Sequence, residues 1–166
     1  HGSCNSPDAC ACHSGYTGNN CTFPVCNGLN SSDASVCNGV GACDFPDTCT
    51  CESGYTGTDC EYSVCHGLSS LDSSVCNGRG TCTSPNTCTC NANYLGTDCE
   101  VVVCFGKNDS DSGVCDGHGS CTSADTCICD SEYTGLYCQT LLCNGYTTGD
   151  PLVCSTRGVC LASGEC

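Results

Sequence analysis

The sequence predicts a small, disulfide-rich fold: tandem modules of short β-hairpins and turns, joined into an elongated rod or superhelix. Three observations carry this reading. Cysteine fills 26 of 166 positions, far above the level that marks a disulfide scaffold. Those cysteines recur with an uninterrupted 39-residue period. Large apolar side chains are scarce, with no Trp, no Met and 3 Phe, so one sizeable core cannot form and cross-links must replace the missing burial.

The period sets the organisation. Cys26, Cys65, Cys104 and Cys143 are copies of one position, as are Cys37, Cys76, Cys115 and Cys154, and Cys43, Cys82, Cys121 and Cys160. One module reads C-x10-C-x5-C-x5-C-x-C-x8-C, with four residues before the next. Complete modules span 26–60, 65–99 and 104–138, and partial ones 1–21 and 143–166. The register opens within one module and closes within another, which predicts a segment of a longer repetitive polypeptide. There is no starting Met or signal peptide, so the natural N-terminus is expected upstream.

Turn chemistry explains the expected hairpins. Ser6-Pro7-Asp8, Phe45-Pro46-Asp47 and Ser84-Pro85-Asn86 sit midway between the third and fourth cysteines. Proline presets φ at the first turn corner and Asp or Asn tolerates the second. Gly54-Tyr55-Thr56-Gly57 predicts another tight turn, its Tyr ring covering a disulfide. Asp33, Asp72, Asp111 and Asp150 recur in a Ser- and Asn-rich first loop. Their expected work is to bond nearby backbone N–H groups and fix that loop.

Composition limits function. Dense disulfides persist in an oxidising setting, secreted or at the cell surface. The net charge is −15, with Arg79, Lys107 and Arg157 as the strong cations, which excludes nucleic acid as a partner. No apolar run approaches the ~18 residues of a membrane span, so this segment is not expected to insert into a bilayer.

The spacing closely resembles EGF-like modules, especially the non-calcium type of tenascins and teneurins. The resemblance rests on Cys51-Glu52-Ser53-Gly54-Tyr55-Thr56-Gly57-Thr58-Asp59-Cys60, on Cys76-Asn77-Gly78-Arg79-Gly80-Thr81-Cys82, and on the single residue between Cys49 and Cys51. Six cysteines alone allow 15 connectivities. The resemblance implies pairing first to third, second to fourth and fifth to sixth. That gives Cys26–Cys43, Cys37–Cys49 and Cys51–Cys60, then Cys65–Cys82, Cys76–Cys88 and Cys90–Cys99, then Cys104–Cys121, Cys115–Cys127 and Cys129–Cys138. The partial modules would contribute Cys12–Cys21, Cys143–Cys160 and Cys154–Cys166. Cys4 and Cys10 would look for partners upstream of this segment.

The residues before each first cysteine depart from calcium-binding EGF modules. They read Thr22-Phe23-Pro24-Val25, Glu61-Tyr62-Ser63-Val64, Glu100-Val101-Val102-Val103 and Gln139-Thr140-Leu141-Leu142. A lone Glu among apolar neighbours does not supply six oxygen ligands. These linkers instead predict apolar packing between successive modules and a regular rod, rather than a loosely jointed string.

Candidate sites are acceptors for sugars. Asn30-Ser31-Ser32 and Asn108-Asp109-Ser110 are N-glycosylation sequons in one phase of the repeat. Thr81 and Ser120 resemble the O-fucose pattern of EGF modules, and Thr17 and Thr56 the O-GlcNAc pattern. The repeat contains no C-x2-C pair of the kind zinc favours. His1, His13, His66 and His118 do not all share one phase and read as solvated surface residues. No nucleophile, base and orienting group are set up for catalysis, so neither an enzyme nor a cofactor is expected. Two function classes follow: a structural segment of an extracellular filament, sheath or appendage with a glycan coat, or an adhesion or receptor stalk binding protein or carbohydrate. The uninterrupted period favours the first, with neighbouring modules and self-association into a fibril as the expected contacts.

Overall fold

The computed structural model describes residues 1–6, 9–161 and 164–166. It divides into two compact parts, His1–Thr89 and Cys90–Cys166. Short antiparallel hairpins and single 3-10 turns make up both, and no α-helix occurs among the described residues.

A hairpin between the third and fourth cysteines is the centre of the complete modules. In the first part, strands Gly41–Phe45 and Thr48–Cys51 pair with Cys43 opposite Cys49 and Gly41 opposite Cys51. Pro46-Asp47 forms the turn, and Asp47 adopts a left-handed φ of 51°, a conformation its short polar side chain tolerates. In the second part, strands Gly119–Ser123 and Thr126–Cys129 repeat this register, with Cys121 opposite Cys127. Ala124 there replaces the proline, and Asp125 takes φ 50°. Of the corresponding turn at Ser6-Pro7-Asp8, Pro7 and Asp8 lie outside the described residues.

The turn residue also holds the module's entry. Asp47 Oδ1 accepts the Asn27 N–H at 3.2 Å, while the Asp47 N–H donates to Val25 O at 2.9 Å. Asn86 binds His66 and Val64 in the same way, at 3.0 Å each, and Asp125 binds Phe105 and Val103 at 2.6 and 3.3 Å. One Asp or Asn thus ties the hairpin tip to both sides of the first cysteine.

A 3-10 turn carries the second cysteine. In Val36–Gly39, Cys37 and Asn38 are left-handed at φ 52° and 54°, and Gly39 follows at φ 70°. A Cβ at Gly39 would lie 3.0 Å from Ala34 O. The same sequence of left-handed residues recurs at Val75–Gly78, Val114–Gly117 and Val153–Thr156. In the last copy the glycine is replaced by Thr156 at φ 65°, a strained conformation for a β-branched residue. Thr156→Gly is therefore expected to stabilise the 143–166 module by about 1 kcal/mol, read as slower amide exchange around Cys154. Unchanged or faster exchange would show that Thr156 is not strained there.

The four-residue linkers are strands. In the first part, Phe23–Cys26 pairs with Tyr16–Thr17 on one edge and Leu29–Asn30 on the other. Tyr62–Cys65 lies likewise between Tyr55–Thr56 and Leu68–Ser69. In the second part, Val101–Cys104 is bracketed by Tyr94–Leu95 and Lys107–Asn108, and Thr140–Cys143 by Tyr133–Thr134 and Tyr146–Thr147. Each junction is thus a three-stranded sheet to which two successive modules contribute. Apolar packing supports it: a Cβ at Gly15 or Gly54 would collide with Pro46 or Pro85 of the following module, so each proline ring rests on a glycine. At Asn93 a hydrogen bond to Asp125 Oδ2, at 2.7 Å, does that work instead.

The cores are small. Around Cys26, Cys37, Cys43 and Cys60 the buried aliphatic residue is Val36, with Leu29, Val40 and Tyr55 packed against it. In the second part Val102 and Val114 join Cys104, Cys115, Cys121 and Cys138, with Tyr94 and Tyr133 at the side. Tyr55, Tyr94 and Tyr133 pack against these cysteine-rich clusters. Sulfur takes the place that aliphatic carbon holds in larger domains.

Candidate functional site

Thirteen disulfides pair all 26 cysteines. Within 26–60 the bonds are Cys26–Cys43, Cys37–Cys49 and Cys51–Cys60. The same order repeats in 65–99 and 104–138. Cys12–Cys21, Cys143–Cys160 and Cys154–Cys166 complete the partial modules. Cys4 is bonded to Cys10, whereas the resemblance implies partners for both upstream of this segment. The two residues face each other across the Gly2–Ser6 and Ala9–Cys12 ladder. Cys43 and Cys49 face each other in the same register, but Cys26 and Cys37 reach them from the first loop, and 1–21 has no counterpart of that loop.

Sulfurs from two adjacent bridges come close enough to resemble a metal cluster, as at Cys26, Cys37 and Cys49. Every one of those sulfurs is in a disulfide. None is a thiolate, and a thiolate is what zinc or another soft metal binds.

The glycan acceptors fall on exposed edges. Asn30 and Asn108 are exposed, at matching positions on the strand pairs with Val25 and Val103. Asn30 Oδ1 accepts the Ser32 N–H at 2.9 Å. Thr56, Thr81 and Ser120 are exposed, while Thr17 is half-buried. The sequon at Asn20 contains Cys21, which is bonded to Cys12.

The recurrent first-loop carboxylates bind backbone as expected. Asp33, Asp72, Asp111 and Asp150 each accept the N–H of the residue two further on, at 2.8–2.9 Å. Asp33 and Asp72 also accept the hydroxyls of Ser35 and Ser74 at 2.6 Å. Those hydroxyls, followed by the same residues' N–H groups, hold both carboxyls below the ordinary 3.8. Because the folded value is depressed, this loop contribution is present above 3.8 and is lost as pH falls through the folded value. Carbon-13 NMR should find both carboxyls titrating below the free value. Ser35→Ala should raise Asp33 and leave Asp72 unmoved. An Asp33 value unchanged by that substitution would rule out the Ser35 hydroxyl as the main cause of the depression.

Two of the histidines make ring contacts that the sequence reading did not predict. His1 and His118 lie three periods apart and stack on Tyr16 and Tyr133, with ring centroids 4.0 and 3.8 Å apart. Val40 stands in the same phase, and it and Tyr55 pack against the same buried cluster. The signal was in the sequence, as a pairwise coincidence hidden when all four histidines are taken as one set.

Two family models match parts of the chain. Residues 69–99 match the model of an EGF-like domain, and residues 35–63 match that of a teneurin-like EGF domain. These are tandem EGF-like repeats. No curated protein matches the chain. EGF-like repeats are typically non-enzymatic, and they serve as extracellular structural or adhesion modules. The disulfide density of this EGF-like array fits an extracellular or cell-surface setting. No helix among the described residues is long and apolar enough to cross a membrane.

Proposed function

We propose that this EGF-like array is a structural segment of a long extracellular repetitive protein, such as a filament, sheath or appendage. The observation that carries the reading is the junction. Every linker is a strand hydrogen-bonded on both edges, and every module-to-module step is 39 residues. A junction built from a shared sheet restrains bending and rotation between the two modules it joins, whereas a flexible linker would not. Neighbouring modules are its first partners, and lateral self-association into a fibril is the next. Asn30, Asn108, Thr56, Thr81 and Ser120 offer exposed anchors for a glycan coat.

Electron microscopy of unreduced material from its source tests the reading. Long filaments with an axial repeat of one or a few modules support it. Short, isolated or cell-tethered stalks overturn it in favour of an adhesion or receptor ectodomain.

A further inference from the structure

The part spanning 90–166 contains the same cleft twice. In the 104–138 module a cleft of about 200 Å³ is lined by Phe105, Lys107, Gly113, Asp116 and Tyr137. One period later Asn144, Tyr146, Leu152 and Ser155 line another of about 200 Å³, in phase with 105, 107, 113 and 116. The walls are backbone features. On one side the linker strand pairs with the first-loop strand, Cys104 opposite Lys107 and Cys143 opposite Tyr146. On the other stands the 3-10 turn, with its left-handed pairs Cys115-Asp116 and Cys154-Ser155.

Its lining sets the 104–138 cleft apart. The phases of Phe105 and Tyr137 hold Asn27 and Asp59 in one complete module and His66 and Asp98 in another. Two polar positions have become aromatic together, and the rings meet edge to face with centroids 4.3 Å apart. Tyr137 remains 42% exposed, as does Tyr146 in the second cleft. Lys107 Nζ gives one N–H to Gly113 O at 2.6 Å, which leaves two of its three donors for a ligand. Asp116 supplies acceptors in the same cleft.

An aromatic surface with a donor and an acceptor lining the same cleft suits a ring that has an apolar face and a hydroxylated edge. The volume lies below the roughly 300–1,000 Å³ of drug-sized pockets, so one ring enters and a larger ligand does not. Lys107 and Asp116 cancel in charge, while the chain at −15 repels polyanions. We infer that the 104–138 cleft binds one ring of a neutral sugar, stacked on Tyr137 with its hydroxyls shared between Lys107 and Asp116. The inference is independent of the filament reading, since the cleft belongs to a single module.

Amide shifts of the nitrogen-15-labelled chain, titrated with the methyl glycosides of glucose, galactose, mannose and N-acetylglucosamine, test it. Saturable shifts at 105–107, 113–116 and 137 are expected for at least one glycoside, with millimolar affinity. Tyr137→Ala should weaken that binding about fivefold or more, Asp116→Asn should also weaken it, and amides of the other modules should stay in place. The inference is overturned by an absence of saturable shifts with all the glycosides, by affinity unchanged in Tyr137→Ala, or by binding of methyl glucuronide alone.

Discussion

Replacing Cys37 and Cys49 together by alanine is expected to lower the stability of the 26–60 module by about 3 kcal/mol. The bridge spans a sequence separation of 12, and the unfolded chain regains that loop's freedom once it is cut. The native state loses more than a tether. Cys37 is 1% exposed and left-handed at φ 52°, a conformation that costs a non-glycine residue energy and persists when its surroundings hold it. No side chain caps this 3-10 turn at its N-terminus, and the bond to Cys49 holds it together with Asn38, whose Nδ2 donates to Asp59 O at 2.9 Å. The double variant avoids the free thiol of a single one, which would reshuffle neighbouring bridges. Guanidinium denaturation, with amide exchange to localise the effect, would show the loss confined to Val36–Gly39 and the first loop. An unchanged midpoint would mean that Cys26–Cys43 and Cys51–Cys60 hold the module by themselves.

The modular plan was legible because cysteine spacing is literal: Cys26 to Cys65 to Cys104 measures the module directly. Bonding order was less so, since the residues left fifteen arrangements open and resemblance to a family chose among them. The junction sheets were hidden for a physical reason. A four-residue strand such as Val101-Val102-Val103-Cys104, the end of a linker and the first cysteine after it, is too short to display a clean alternation, and it is paired on both edges by residues from different modules. In that strand Val102 is buried and Val101 and Val103 are half-buried. The left-handed cysteines carried no signal of their own, although Asn38-Gly39 after Cys37 did, because both types favour that conformation. Cys4–Cys10 escaped the sequence reading because complete modules bond those two positions to the first loop. The ladder brings these two positions face to face in partial and complete modules alike, and in the complete ones each is bonded elsewhere. The sugar cleft was visible only as a departure. Phe105 and Tyr137 break the polar character of their phases, but nothing in the spacing placed 105 beside 137.

Gly119→Ala is the most damaging single substitution we expect, at about 3 kcal/mol, the upper end of overpacking costs. A Cβ at Gly119 would stand 2.5 Å from Ile128 O, 2.8 Å from Cys138 Sγ and 3.0 Å from Cys129 Cα. None of these can yield easily. The carbonyl belongs to the partner strand of the hairpin, and the sulfur to the Cys129–Cys138 bridge, whose Cys138 is fully buried. The bridge crosses directly over the first residue of the hairpin, so that position has no room for a side chain. Gly2 and Gly41 meet the sulfurs of Cys21 and Cys60 in the same way. Gly149→Ala is the control, because its Cβ would enter open space at an ordinary φ, and it should be within about 0.5 kcal/mol of the parent. Oxidative refolding yield and the guanidinium midpoint would separate the two variants. If Gly119→Ala folded as well as Gly149→Ala, the bridge would have to lie farther from the hairpin in solution. The recurring glycine before each third cysteine would then need a cause other than sulfur packing.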